Sequence, residues 1–438
     1  MVKRYGVVTI AAVMLASTAH AGEREGCRLC GMYIDQYQAT SAIVTGKDGR
    51  IEKTCGGADM LRLVAEAGGV DAFASVLVHD WSSGKEIAAA DATYVIGSDL
   101  VPDMIPNIIA FADQEGAKRF MAEHGGQPLT FSQALLAVSP MGMTMPNRVN
   151  SAVPPPKGSL GVGAGYMSMV KDDLMMGSNK VSTAQFLAAT NAGAVKMIPE
   201  KMEASGPMLM ANYGLTDRLS VTAKISDLDK TMTSTKRDGS AQVVTKHKGI
   251  TDLDLKMVYN LWRDDYYSKF FSLMGNLTLP TGDFDTTFRP QPGLQLGTGS
   301  VNLGGGLLGS LRFGDFWLHG ELSHLINREN GDDYDFGDVT KLGAALHYTP
   351  NYDLMLGLEL DGTDTGKNEN FGVKVQNSGG RAVMLTGVVS WRFLSALGGN
   401  FSLNGSYGLP LYEDVNLYGV GTDYVATGML NFKHRFNY

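Results

Sequence analysis

The stretch Tyr424-Val425-Ala426-Thr427-Gly428-Met429-Leu430-Asn431-Phe432-Lys433-His434-Arg435-Phe436-Asn437-Tyr438 decides the fold class of this chain. A period of two places successive side chains on opposite faces of a β-strand. One face of this stretch consists of Tyr424, Ala426, Gly428, Leu430, Phe432, His434, Phe436 and Tyr438. The stretch therefore predicts a strand with one apolar, aromatic face.

The same alternation recurs in about twelve runs from residue 159 onward. Runs of this kind include Leu219–Ser226, Phe271–Leu279, Val383–Arg392 and Phe401–Tyr407. Each run has about ten residues, which is the length that a tilted strand needs to cross a bilayer. The aromatic end resembles the terminal signal that outer-membrane barrels present to their assembly machinery. We therefore expect residues 159–438 to form an antiparallel transmembrane β-barrel of about twelve strands, with a soluble sandwich as the alternative.

The first 21 residues have the pattern of a secretory signal peptide. Lys3 and Arg4 precede an apolar stretch from Val7 to Leu15, and Ala19-His20-Ala21 supplies a cleavage pattern. The apolar stretch is too short to span a membrane. A buried helix is the alternative. We expect an exported protein, and no cysteine directly follows the cleavage site to carry a lipid.

Charge and motif content exclude several function classes. The formal net charge of -8 and the pI near 5.5 argue against nucleic acid as a partner. No Ser-His-Asp arrangement, phosphate-binding loop or paired-carboxylate motif is recognisable. The sequence therefore gives no support to an enzymatic activity.

Residues 22–139 have the composition of a small α+β domain. The patterns predict helices over Gly57–Ala67, Asn107–His124 and Phe131–Val138, and strands over Ser41–Val44, Ala74–His79 and Thr93–Ile96. A segment over 140–158 follows, with Met141, Met143, Met145 and Pro154-Pro155-Pro156. That composition predicts an extended, poorly packed linker.

All three cysteines lie in the first domain, and two of them form the motif Cys27-Arg28-Leu29-Cys30. Two thiolates at this spacing can hold one soft metal ion. The same spacing serves thiol–disulfide exchange or a structural disulfide. Cys55 is a third thiolate for the metal, or it pairs with Cys27 or Cys30 and leaves one thiol free.

The first domain resembles the NosL family of periplasmic copper(I) carriers. The resemblance covers residues 24–138 and rests on Cys27-Arg28-Leu29-Cys30-Gly31-Met32-Tyr33-Ile34, Tyr94-Val95-Ile96-Gly97-Ser98, Met104, Phe111, Ala117, Phe120 and His124-Gly125-Gly126. It implies copper(I) as the bound metal. It also implies Cys27, Cys30 and Met104 as ligands, with Met32 as a further candidate. Members of the family are usually lipoproteins, so the missing lipid-attachment cysteine is a departure, and Cys55 is another.

The second half resembles a family of outer-membrane transporter barrels whose relatives are linked to copper or to phenol degradation. The shared segments are Tyr213–Arg218, Gly249–Asp252, Leu279–Gly282 and Leu296–Ser300. The more methionine-rich relatives carry methionines where this chain has Met197, Met202, Met208 and Met210.

Alternation assigns four methionines to the inner face of the barrel wall. If Leu160, Val162, Ala164 and Tyr166 face lipid, then Met167 and Met169 face the lumen, and Met208 and Met210 follow by the same argument. Thioethers in the lumen would offer exchangeable sites for copper(I). The alternative is that methionine only fills irregular gaps.

An even strand number places both ends of the barrel in the periplasm, and the cysteine domain therefore hangs at the periplasmic mouth. We expect an outer-membrane copper-handling protein whose partners are copper ions, outer-membrane lipid, the barrel-assembly machinery and a periplasmic copper acceptor. The first alternative is a channel for small hydrophobic or aromatic compounds with a structural front domain. The second is a membrane-tethered thiol oxidoreductase.

Overall fold

A computed structural model describes residues 25–67, 69–104, 106–138, 147–190, 195–264, 268–350, 353–396 and 399–435. The expected signal peptide over 1–21, the linker methionines Met141, Met143 and Met145, and the terminal Tyr438 lie outside the described residues. None of the described helices is long and apolar enough to cross a membrane.

The N-terminal part is a small α+β domain with two antiparallel sheets and three helices. Its elements are β1 (Ala42–Gly46), β2 (Ile51–Thr54), α1 (Gly57–Ala67), β3 (Phe73–His79), β4 (Glu86–Ala88), β5 (Thr93–Ile96), β6 (Ile108–Phe111), α2 (Gln114–His124), β7 (Gln127–Leu129) and α3 (Phe131–Val138). The sheet orders are β2-β1-β3-β4 and β6-β5-β7. Helix α1 packs over both sheets, with Met60, Leu61 and Val64 fully buried.

One of the predicted helices, Asn107–His124, is wrong in its first third. Ile108–Phe111 is the buried strand β6, which pairs with β5, and the helix begins only at Gln114. The β-branched pair Ile108 and Ile109 suits a strand that is buried on both faces. Asp113 then caps α2 by accepting a hydrogen bond from the Gly116 N–H at 2.7 Å.

The C-terminal part is one large antiparallel sheet. The elements of this part of the chain are β8 (Ser159–Gly177), β9 (Asn179–Lys180), α4 (Thr183–Ala189), β10 (Met197–Gly214), β11 (Leu219–Lys236), β12 (Gln242–Ile250), β13 (Leu253–Arg263), β14 (Lys269–Leu279), β15 (Asn302–Phe313), β16 (Phe316–Ile326), β17 (Tyr334–Asp335), β18 (Val339–Tyr348), β19 (Leu354–Thr365), β20 (Glu369–Asn370), β21 (Val373–Lys374), β22 (Gly380–Ala396) and β23 (Gly399–Arg435). Strands β17, β20 and β21 form a small sheet in the loops, apart from the large one.

This sheet closes into a barrel because β8 pairs with both β10 and β23. Eleven strands form the closed wall, and β9 and β12 extend it as side strands. The long β23 folds back at Leu417, which has a positive φ of 63°. Its first arm pairs with β22 and its second arm with β8, and Ser406 meets Thr427 across the fold. The wall therefore has twelve passes, and the predicted barrel is confirmed.

The two faces of the wall differ as the alternation predicts. Tyr166 and Leu209 point outward with 54% and 57% of their surface exposed. Their neighbours in the chain point inward, and the inner face includes buried Glu321, Glu359 and Asp361. An apolar outer face around a polar interior is typical of a transmembrane barrel. The protein is an outer-membrane barrel.

The two ends of the barrel differ in the length of their connections. Short turns, such as the one between Phe313 and Phe316, lie at the end where β8 starts and β23 ends. Long connections lie at the opposite end. The N-terminal domain sits at the short-turn end, where Gln133 donates to Asp315 Oδ1 at 2.7 Å and Arg312 donates to the Gln133 carbonyl at 2.8 Å. Short turns face the periplasm in such barrels.

The expected poorly packed linker is wrong for the segment 147–153, which lies inside the barrel. Val149, Ala152 and Val153 are buried, and we call residues 147–153 the plug. A buried irregular segment needs partners for its backbone polar groups. The wall supplies them, because Glu359 accepts the N–H groups of Asn147, Arg148 and Val149 at 2.8, 2.6 and 2.9 Å.

Further contacts hold the second half of the plug. Glu321 accepts from the Asn150 N–H at 2.8 Å and Ser310 accepts from the Ala152 N–H at 3.0 Å. Gly343 leaves space for the plug, since a Cβ there would lie 2.9 Å from a methyl group of Val149. The plug therefore fills the middle of the lumen.

The connection between β14 and β15 covers the opposite end of the lumen. Asp252 fixes it by accepting from the Gly282 N–H at 3.0 Å and the Thr298 N–H at 2.7 Å. Lumenal Lys230 donates to the carbonyl of Gln295 at 2.5 Å. Three of the four segments that carry the barrel resemblance, Gly249–Asp252, Leu279–Gly282 and Leu296–Ser300, therefore meet in one loop structure. The fourth, Tyr213–Arg218, lies at the β10–β11 turn at the other end of the barrel.

Candidate metal site

The cysteine loop is a tight turn that precedes the first sheet. The Cys27 N–H donates to the Met32 carbonyl at 2.8 Å, and the Gly31 N–H donates to the Cys27 carbonyl at 2.7 Å. Gly31 adopts a φ of +78°, which favours glycine. The turn leaves Cys27 buried and Cys30 exposed.

Cys55 reaches the same place from the junction of β2 and α1. It follows the end of β2 at Thr54, and α1 begins at Gly57. The helix starts close to Asp103, because a Cβ on Gly56 would lie 1.7 Å from an oxygen of that carboxylate. Burial raises the pKa of Asp103 to about 6. Asp59, in the first turn of α1, then points back toward Cys55.

The three thiols and one carboxylate form a compact cluster. One ligand atom from each of Cys27, Cys30, Cys55 and Asp59 lies within 4.8 Å of every other. Cys30 Sγ and Cys55 Sγ are 3.3 Å apart, and Cys27 Sγ is 3.3 Å from Asp59 Oδ2. All three cysteines are free thiols. These four ligand atoms are close enough together to hold one metal ion.

Asp59 and Arg62 set the charge of the cluster. Arg62 Nη1 donates to Asp59 Oδ1 at 2.9 Å, and its distance to Met104 Sδ is 3.8 Å. Partial desolvation of its thiol by the neighbouring groups, aided by the hydrogen bond to Asp59 and the negative charge of that carboxylate, raises the pKa of Cys30 to about 11. Burial likewise raises the pKa of Cys55. Cys30 and Cys55 are therefore protonated at neutral pH.

Apolar side chains surround the thiols. Cys27, Cys55 and Ile34 form a buried cluster, and Leu29, Met32, Tyr37 and Met104 pack against it. Both methionines named by the sequence therefore lie at the cluster of thiols. Asp59 is the residue that the sequence argument missed. Its spacing of four from Cys55, one helical turn, was the available signal.

The four lumenal methionines share the inward face of β8 and β10. Gly206 pairs with Met167 and Ala204 with Met169, while Met208 pairs with Gly165 and Met210 with Gly163. Met208 is 5% exposed, whereas the intervening Leu209 is 57% exposed. Glycines opposite Met208 and Met210 leave room for these long side chains. The four methionines therefore lie together on two neighbouring strands of the wall.

Fold and site together define a class: an outer-membrane β-barrel that carries a thiol-rich domain at its periplasmic end. The NosL family model matches residues 18–136, and the model described as "Putative MetA-pathway of phenol degradation" matches residues 208–422. A copper-binding lipoprotein NosL of Stutzerimonas stutzeri is 31% identical over 160 residues, covering 30% of this chain and 84% of the relative. The chain belongs to the NosL family through its N-terminal domain.

Two solved structures are similar to the two halves. An outer-membrane channel from Pseudomonas putida F1 is 16% identical, with a TM-score of 0.48, covering 67% of this chain and all of the channel. The copper chaperone NosL from Shewanella denitrificans is 25% identical, with a TM-score of 0.23, covering 24% of this chain and 87% of the chaperone.

Proposed function

We propose that this protein handles copper at the outer membrane, and that its periplasmic domain captures or donates copper(I) at the mouth of the barrel. The observation that carries the proposal is the cluster of three free thiols beside Met104. Thiolate and thioether sulfurs are the ligands that copper(I) prefers. Membership of the NosL family, which includes a relative named as copper-binding, supports the same metal.

The residues divide into ligands and supporting groups. Cys27, Cys30 and Cys55 supply thiolates, and Met104 supplies a thioether, with Met32 as a further sulfur at the rim. Asp59 holds the thiols by accepting hydrogen bonds, because its hard oxygen suits copper(I) poorly. Arg62 balances the negative charge that the deprotonated thiols and Asp59 would otherwise leave near the protein interior.

The raised pKa values of Cys30 and Cys55 argue against an oxidoreductase that uses either of them as its attacking thiol. Exchange requires a thiolate as the attacking group, and reactive cysteines have a lowered pKa. Desolvation instead raises the pKa of Cys30 to about 11 and that of Cys55 as well. Metal binding tolerates such values, since the metal itself displaces the protons.

The lumen argues against a path for small hydrophobic compounds. The plug and the wall bring Arg148, Lys341, Glu321, Glu359 and Asp361 together in its middle. An apolar solute would have to displace plug contacts and desolvate these charged groups. Polar and sulfur groups instead suit an ion, and the lumenal methionines Met167, Met169, Met208 and Met210 would serve as exchangeable copper(I) sites beyond the domain.

The test is copper(I) titration of the full-length protein in detergent against a chelator of known affinity. We expect one tightly bound copper(I) per chain. We expect that ion to be lost in the Cys27→Ser, Cys30→Ser, Cys55→Ser triple variant.

Two single methionine variants provide a matched comparison, one at the thiol cluster and one away from it. Met104→Leu should weaken copper(I) binding, whereas Met121→Leu should leave it unchanged because Met121 packs in a separate core around Phe120. Equal affinity of the triple variant and the natural protein would overturn the proposal.

A further inference from the structure

Two histidines lie side by side in the periplasmic third of the lumen. His319 is the fourth residue of β16, and His347 is the next-to-last residue of the neighbouring β18. Their ring centres are 4.9 Å apart. The two side chains are 1% and 0% exposed, so they are enclosed by the wall and the plug.

One nitrogen of each ring is fixed by a hydrogen-bond partner. His347 Nε2 lies 3.3 Å from Glu359 Oε1. That carboxylate already accepts three backbone N–H groups, so it is an acceptor here and His347 Nε2 carries the proton. His319 Nδ1 lies 2.7 Å from Ser310 Oγ, which can accept its proton and donate to Ser151 Oγ at 3.4 Å.

The other nitrogen of each ring has no partner among the described residues. These atoms are His319 Nε2 and His347 Nδ1, and both are inaccessible to solvent. Buried polar atoms almost always have a partner, so an unpartnered one points to a missing ligand. Trp317 Nε1 and Thr386 Oγ1 are unpartnered as well. Trp317 stacks on His319, and Thr386 pairs with Glu359 across the wall.

We propose that His319 and His347 form a second metal site, which binds one copper(II) or a similar divalent transition-metal ion through His319 Nε2 and His347 Nδ1. Imidazole nitrogen suits copper and zinc. Metal-binding histidines commonly donate their second N–H to a carboxylate or similar acceptor, and Glu359 and Ser310 occupy those places. The carboxylate of Glu359 accepts the hydrogen bond from His347 Nε2, and its negative charge favours a cation beside this ring.

The backbone of β19 makes room for this arrangement. Gly357 lies against the ring of His347, because a Cβ there would be 2.5 Å from His347 Cδ2. A side chain at this position would push the imidazole away from Glu359. The site shares Glu359 and Ser310 with the plug, and both histidines lie near the strand ends where the cysteine domain sits.

The site is distinct from the cysteine cluster, and the test separates the two. Full-length protein with Cys27→Ser, Cys30→Ser and Cys55→Ser is titrated with copper(II) in detergent and examined by electron paramagnetic resonance. We expect one bound copper(II) whose spectrum shows coupling to two imidazole nitrogens. His319→Gln with His347→Gln in the same background should abolish that signal, with folding checked by the heat-dependent gel migration of the barrel.

The matched control is His324→Gln, because His324 is on the same strand but half of its side chain is exposed on the outer surface. It should retain one copper(II). Absence of bound copper(II) in the cysteine-free protein, or an unchanged spectrum in the double histidine variant, would overturn the second site. If the double histidine variant does not fold, the nitrogen coupling in the spectrum of the cysteine-free protein with both histidines intact decides whether the second site exists. Neither result would affect copper(I) binding by the cysteine domain.

Discussion

Arg148 of the plug and Asp361 of the barrel wall form a two-pronged ion pair inside the lumen. Arg148 Nε donates to Asp361 Oδ1 at 2.5 Å, and Nη2 donates to Oδ2 at 2.8 Å. Asp361 is fully buried, and its partner is 28% exposed. Such parallel geometry is strong and specific. The pair ties residue 148 to a strand more than two hundred positions later in the chain.

Breaking this pair should loosen the plug. In Asp361→Asn the guanidinium loses its countercharge, and removing one member of a buried pair costs on the order of 3–5 kcal/mol. We expect higher single-channel conductance in planar bilayers and a lower Tm of the barrel in detergent. The control is Arg381→Ala, whose pair with Asp364 is exposed and at most weakly stabilising. Identical conductance in natural and Asp361→Asn protein would refute a role of this pair in closing the lumen.

The carboxylate beneath the thiols should tune copper(I) affinity without binding the metal. Asp59→Asn keeps the size of the side chain but removes its charge from Arg62 and the thiols. Supporting residues of this kind commonly change metal affinity by about 10–100-fold. We expect a loss of that size with one copper(I) still bound, measured by chelator competition. Asp113→Asn is the control, since asparagine also caps a helix. Complete loss of binding would instead make Asp59 a ligand.

The lumenal methionines should affect copper movement and not folding. Met208→Leu with Met210→Leu conserves volume and removes two thioethers from the inner face. We expect slower copper flux into or out of cells or vesicles that carry the protein, with unchanged Tm. Leu209→Met is the matched control, because it adds a thioether on the lipid side of the same strand. Unchanged flux in the double leucine variant would leave these side chains as packing residues.

Asp80 should make the N-terminal domain sensitive to acid. Burial raises its pKa, but hydrogen bonds from Ser83 and the Ala112 N–H outweigh this and hold the pKa below its ordinary value of 3.8. The Asp80 contribution to stability is therefore present above pH 3.8 and is lost as pH falls through the lower folded-state pKa.

Urea unfolding of the full-length protein should show this loss through the fluorescence of Trp81, which packs on Phe120. The signal is isolated by comparison with Trp81→Phe. Asp80→Asn should lower the stability of the domain at neutral pH and flatten its pH dependence between about pH 5 and pH 3, because the titrating carboxylate is gone. A natural protein whose unfolding midpoint does not change over that range would contradict the prediction.

The sequence by itself determined the class of each half. Alternation with a period of two follows from strand geometry alone, so it fixed the barrel and the inward direction of Met167, Met169, Met208 and Met210. Helix α1 was predicted with its observed bounds, Gly57–Ala67, because its apolar pattern and its glycine start agree. Asn107–His124 was misread because buried β-branched residues beside a helix have no period that separates strand from helix.

Only the tertiary structure decided which distant residues meet. The position of Cys55 beside Cys30, and of Asp59 beneath both, depends on the docking of α1 against the cysteine loop. The plug was read as linker because its own residues lack any period, and its partners Glu359 and Asp361 are far along the chain. His319 and His347 are neighbours because β16 and β18 pair with a register that sequence alone does not specify. Local patterns encode faces and elements, whereas the sites arise where closure of the barrel and packing of the domain bring those faces together.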